Sequence, residues 1–145
     1  MEVPPQLFEE LFHRVELGDD NYSISEQIDQ ALKQPASLCS LFMVISNGKT
    51  SYVRNLALLN LSKYIRFHQD SDDEQVEEFS NFAHLVLESD LTTRQKSFFF
   101  DALLQLASSI LINKGQELFL TIGNMVLDIE DTELLLYVWT QIEEY

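Results

Sequence analysis

Apolar residues recur along this chain at intervals of three and four, the spacing that places side chains on one face of an α-helix. The clearest run is Val53, Leu56, Ala57, Leu61, Tyr64 and Ile65, between Thr50 and His68. Leu58 and Leu59 add apolar surface off that stripe, which predicts a helix packed on more than one side. Ahead of it, Leu7, Phe8, Leu11, Phe12 and Val15 mark a helix from about Pro5 to Leu17, proline being well placed in a first turn. Ile24, Ile28, Ala31 and Leu32 mark a second helix, opened by the capping-box pair Ser23 and Glu26 and stopped by Pro35. Leu38, Leu41, Phe42 and Ile45 mark a third, near Ala36 to Ser46, and Asn47-Gly48 reads as its left-handed C-terminal pair.

The same plan continues after His68. Asp70 to Asp73 supply an acidic first turn for a fifth helix carrying Val76, Phe79, Phe82, Ala83, Val86 and Leu87. Thr92 and Gln95 form a second capping-box pattern before a helix to about Ile112 that holds Phe98, Phe99, Phe100, Leu103, Leu104, Ala107 and Ile110, closed by Lys114-Gly115. A seventh helix near Gln116 to Ile129 carries Leu118, Phe119, Ile122, Met125 and Val126. An eighth, opening at Asp131, carries Leu134, Leu135, Val138, Trp139 and Ile142. No segment alternates apolar and polar residues as a strand would, so the chain reads as all-α. Helices four, six and eight begin near residues 51, 93 and 131. An advance of about 40 residues per helix pair is the period of HEAT and armadillo arrays. The favoured architecture is therefore an α-solenoid of about four HEAT-like antiparallel helix pairs forming a single domain over 1–145, with a globular bundle as the other way to join eight helices.

Composition changes the picture in one respect. A hydrophobic fraction of 46% and a charged fraction of 23% are ordinary for a folded domain, but 24 Asp and Glu against nine Lys and Arg give a net charge of -15. That balance argues against nucleic acid and against an anionic membrane surface, both of which begin with concentrated positive charge. It suits a basic protein partner, or else acidic solvent faces that keep an apolar helical chain soluble. One cysteine, Cys39, excludes an internal disulfide and a Cys-rich zinc site, and it reads as a small core residue. The N-terminus lacks a secretory signal's basic start and apolar core, and no apolar run approaches the roughly 20 residues that span a bilayer, so a soluble intracellular chain is expected.

The segment Ser25 to His68 resembles the N-terminal domain of the importin-β, or karyopherin, family of nuclear transport receptors. The resemblance rests on Gln34-Pro35 at the end of one helix, the apolar helix Leu38 to Ile45, the Asn47-Gly48 break, and Val53, Arg54, Ala57, Leu61 and Ile65 on the next helix. Leu7 to Leu32 is similar to the family's opening helical pair, and Thr93-Arg94-Gln95 to the start of a helix in its third repeat. Such a likeness implies HEAT repeats whose second helices line a concave face that binds the small GTPase Ran in its GTP form. Cargo carrying basic signals would bind further along, and the outer helices would pair shallow grooves with Phe-Gly repeats of pore proteins. It implies a receptor that shuttles between cytoplasm and nucleus, does no chemistry, needs no cofactor, and couples one binding event to another. The chain is then expected to be such a domain or a fragment of a longer receptor.

On that reading the partner-facing residues are Arg54, Asn55, Ser62, Lys63 and Arg66 on helix four, Lys96 and Asp101 on helix six, and Gln27 and Gln30 on helix two. Arg54 could instead pair with a neighbouring helix. The acids between Asp70 and Asp90 and those near the C-terminus read either as docks for a basic surface or as capped, solvated helix faces. His13, His68 and His84 are too far apart in sequence to suggest a metal site, and no Gly-rich phosphate loop or nucleophile signature is present. Trp139 reads as a terminal cap or an association surface. Two other functions compete: a free-standing HEAT scaffold for an unrelated complex, and an all-α enzyme, which would need a closed pocket with converging polar groups.

Overall fold

A helix ends where its backbone groups find other partners, and this chain supplies those partners at most of its breaks. A computed structural model describes residues 3–18, 22–68, 73–109, 120–125 and 131–144. Its elements are α1 (Pro5–Glu16), α2 (Tyr22–Leu32), α3 (Ser37–Asn47), α4 (Ser51–Phe67), α5 (Asp73–Glu88), α6 (Thr93–Ser109), the helical residues 120–125 (α7) and α8 (Thr132–Glu144). Among the described residues there is no strand, and the expected all-α chain of helical repeats holds. The acidic cap 70–72, residues 110–119 with Lys114-Gly115, and Val126 lie outside the described residues.

The chain divides into two compact units, Met1–His68 and Gln69–Tyr145. In the first, α3 packs most extensively on α4, and α1 lies against both as well as against α2. Phe8 and Phe12 stack at 5.5 Å on the inner face of α1. With Ile24, Leu32, Leu38, Leu41, Ile45, Leu58, Leu61 and Tyr64 they are fully buried. In the second unit α6 packs on α5 and on α8. Phe82 meets Phe99 edge-on at 5.5 Å and Phe99 meets Phe100 at 6.0 Å, so two rings of the Phe triple enter the core. Phe98 stays half-buried with the Arg94 guanidinium 5.5 Å from its ring centre.

The caps are mostly those the sequence announces. Thr50 Oγ1 accepts from Val53 N at 3.1 Å and opens α4. At α6 the capping box is reciprocal: Gln95 N donates to Thr92 Oγ1 at 3.1 Å and Thr92 N donates to Gln95 Oε1 at 3.0 Å. Asp131 Oδ1 accepts from Glu133 N and Leu134 N at 3.1 and 3.3 Å and opens α8. Gly18, at φ +88°, ends α1 in the left-handed region.

Four expectations need correction. Ser23 does not precede α2 but stands inside its first turn, where it accepts from Gln27 Nε2 at 3.3 Å. Gly48 is not left-handed: at φ −55° and ψ 141° the chain leaves α3 extended. What requires glycine there is space, since an added Cβ would meet Val44 O at 2.6 Å and Arg54 Cγ at 2.9 Å. Cys39 is exposed, not core, because α3 is apolar nearly all round and its outward stripe falls on Cys39, Met43 and Ser46; the buried place beside it goes to Ser40, whose hydroxyl donates to Val3 O. Leu58 is buried as expected, but its neighbour Leu59 is 54% exposed.

Candidate partner-binding surface

A polar side chain on a repeat helix has two uses, to tie its own repeat together or to face outward, and the candidate residues divide between them. Arg54, one turn into α4, reaches back over Gly48: its Nη2 donates to Ser46 O at 2.9 Å and its Nε to Gly48 O at 3.2 Å. Its cation therefore sits at the carbonyl end of α3, where the helix dipole favours it. Lys96, near the start of α6, does the same for α5, donating from Nζ to Leu87 O at 3.2 Å. Lys63 pairs with Asp29 of α2 at 3.2 Å, a contact that both partners keep partly in solvent. Asp101 accepts from the Tyr137 hydroxyl at 2.7 Å and so links α6 to α8. Burial pushes its carboxyl above the ordinary range, and the tyrosine hydrogen bond offsets part of that rise.

The outward set is smaller. Gln27 and Gln30 are exposed on α2, and Arg66 is exposed near the end of α4. Asn55 and Ser62 are half-buried on the same helix. Positions 52, 55, 59, 62 and 66 follow steps of three and four, so they form one stripe along α4. Tyr52 and Leu59, at 44% and 54% exposure, are members of that stripe which the sequence reading missed. The signal was available: Leu59 is the only apolar residue in phase with Asn55, Ser62 and Arg66 between them.

The far end of this surface is well fastened. His68 Nε2 donates to Leu32 O, the last carbonyl of α2, at 2.7 Å, and its ring stacks on Tyr64 at 4.1 Å. The Tyr64 hydroxyl in turn donates to Pro35 O at 3.3 Å. Lys33 Nζ lies 5.6 Å from the centre of the Phe67 ring.

On another side of the first unit, α1 and α3 enclose an open groove of about 660 Å³, with Val44, Val53 and Met43 in its wall and Glu9, Glu10 and Lys49 at its margin. Two hydrogen bonds hold its mouth. Lys49 N donates to Glu9 Oε1 at 2.9 Å, and Thr50 Oγ1 donates to Glu16 Oε1 at 3.2 Å. Among the described residues no group of His, Cys, Asp or Glu is placed to hold a metal ion, and no helix is long and apolar enough to cross a membrane.

Compared with known proteins, the chain matches the family model of the importin-beta N-terminal domain over residues 24–83. No curated protein and no solved structure matches it. The matched segment contains Gln34-Pro35, the α3 to α4 hairpin and the Val53, Arg54, Ala57, Leu61 and Ile65 helix, and over that segment the chain is similar to an importin-beta N-terminal domain.

Proposed function

We propose that the chain is a binding module of the nuclear transport receptor kind, engaging Ran in its GTP form through the outward polar positions of its second helices and basic-surfaced partners through its acids. The family match over residues 24–83 carries this reading, because it spans α2, α3 and α4 and so includes the exposed α4 stripe. Gln27, Gln30, Asn55, Ser62 and Arg66 are the residues that face a partner on this reading. Arg54, Lys63, Lys96 and Asp101, all engaged within the chain, hold the contact helices in place and touch a partner only at their margins.

The groove between α1 and α3 supports a second element of the same function. Met43, 47% exposed, supplies its open apolar surface above the buried Val44 and Val53, and suits contact with the phenyl ring of a Phe-Gly repeat. Such a module acts by binding alone, and it shuttles between cytoplasm and nucleus with its partners. The test is a pull-down with Ran loaded with GTP or GDP. Capture of the GTP form alone is the expected result. Equal capture of both forms, or of neither, removes the Ran assignment and leaves a HEAT scaffold with an unrelated partner.

A further inference from the structure

The net charge of -15 is not spread along the chain. Sixteen of the 24 acids but only three of the nine Lys and Arg follow His68, so residues 69–145 carry nearly all of the excess. From Gln30 to Gln69 the sequence holds five Lys and Arg and not one Asp or Glu. α4 lies wholly inside that interval, and the three cations near its end gather at one corner. Lys33 lies over the Phe67 ring, Lys63 pairs with Asp29, and Arg66 is exposed one turn from Lys63. Asp29 is the acid the structure shows paired there, and it neutralises one cation of the three.

We infer that the α4 face, with the Lys33 and Arg66 corner at its end, is a docking surface for an acidic polypeptide segment with an apolar side chain that covers Leu59. The inference deepens the receptor reading by giving the chemistry of the partner at the same face. Complementary charge is the reason for the choice. A basic partner meets cations and no acid along α4 itself, whereas an acidic segment meets Arg66 and Lys33, with the exposed Leu59 about two turns and Tyr52 about four turns back along the same stripe. The charge argument is local: at physiological salt a charge is screened beyond about 8 Å, so an acidic segment seated on α4 is held by the cations it touches. Arg66 and the aromatic Tyr52 are also residue types that carry interface energy.

The experiment is fluorescence anisotropy with the full chain and a short labelled peptide alternating Leu with Asp and Glu, compared with the same peptide bearing Lys for each acid. A single-stranded RNA and a phosphatidylserine vesicle are run beside them. Preferential binding of the acidic peptide, weakened by salt, is expected. Lys33→Glu with Arg66→Glu should lower its affinity about tenfold, as two exposed charge pairs lost and reversed would. Leu59→Ser should lower affinity at every salt concentration without changing the salt dependence. Melting temperatures of these surface variants should stay near wild type, and Lys33→Gln with Arg66→Gln gives an intermediate loss without added repulsion. Equal binding of the Lys peptide, tighter binding of RNA or vesicle, or an affinity indifferent to the charge reversals overturns the inference. Ran separates the two proposals: Ran-GTP capture without acidic-peptide binding overturns this one alone, and peptide binding without Ran-GTP capture overturns only the Ran assignment.

Discussion

Gly18 and Gly48 are both glycines at helix ends, yet the structure demands them for opposite reasons, and substitution separates the two. At Gly18 φ is +88° and a Cβ would meet nothing within 4 Å, so the demand is conformational. Alanine there costs about 1–2 kcal/mol, and asparagine, which tolerates the left-handed region, recovers most of it. At Gly48 φ is −55°, an ordinary value for any residue, and the demand is steric. A Cβ 2.6 Å from Val44 O must push away a carbonyl that accepts from Gly48 N at 2.8 Å, and at 2.9 Å from Arg54 Cγ it must also displace the stem that carries Arg54 to Ser46 O. Overpacking of this kind costs about 1–3 kcal/mol, offset by about 0.4–1 kcal/mol from the stiffer unfolded chain. Gly48→Ala should therefore lose about 1–2 kcal/mol, or some 2–8 °C of melting temperature, and Gly48→Asn at least as much. Adding Arg54→Ala to Gly48→Ala relieves only part of the clash, because the Val44 carbonyl remains. Circular dichroism melts of the four glycine variants decide it. If Gly48→Asn melts like wild type while Gly48→Ala does not, the left-handed explanation returns and the steric one fails.

Other predictions follow from the same contacts. Thr92→Ala removes one arm of the reciprocal capping box and should cost about 1 kcal/mol in urea unfolding; Gln95→Ala, which breaks the other arm, should not be additive with it. Leu61→Ala, at a fully buried site, should cost about 2–5 kcal/mol, whereas Leu59→Ala should stay within about 0.5 kcal/mol, and equal losses would contradict the assignment of Leu59 to an outward stripe. Asp131 is held below the ordinary carboxylate range first by the Thr93 hydroxyl and then by the Leu134 N–H. Its charge therefore stabilises the fold above the unfolded-state value, so the advantage of wild type over Asp131→Asn should fade as pH falls through the lowered folded value. Asp101, raised by burial, has the opposite sign: wild type should lose stability relative to Asp101→Asn as pH rises through the raised value, read from denaturation midpoints across the acid range.

Helix limits were legible because their causes are local. Thr50, Thr92 with Gln95, and Asp131 each cap within three residues of themselves, so the sequence carries the whole interaction. The misreadings share a different cause. Gly48 looked left-handed because glycine answers two demands, and only the folded positions of the Val44 carbonyl and of Arg54 six residues on show which one applies. Cys39 looked buried because α3 is so apolar that periodicity leaves its outward stripe undefined until α1 and α4 cover the other faces. Among the candidate contact residues, type was legible and direction was not. Lys96 looks like a surface cation and Arg54 like either a contact or a tie to a neighbouring helix, and both close the carbonyl end of the helix before them, through distances that depend on how each hairpin folds back.

Charge gives the same lesson at a larger scale, and it bears on function. A net -15 taken as one number points to basic partners for the whole chain, yet the acid-free interval from Gln30 to Gln69 contains α4 and its outward stripe. Because the field of an exposed charge decays over about 8 Å in physiological salt, the proposed partner on α4 would be selected by the charges it touches, Arg66 and Lys33 first among them. The single number therefore averages a strongly acidic stretch, 69–145, with an α4 that carries no acid. On the proposed reading, the two stretches suit partners of opposite sign.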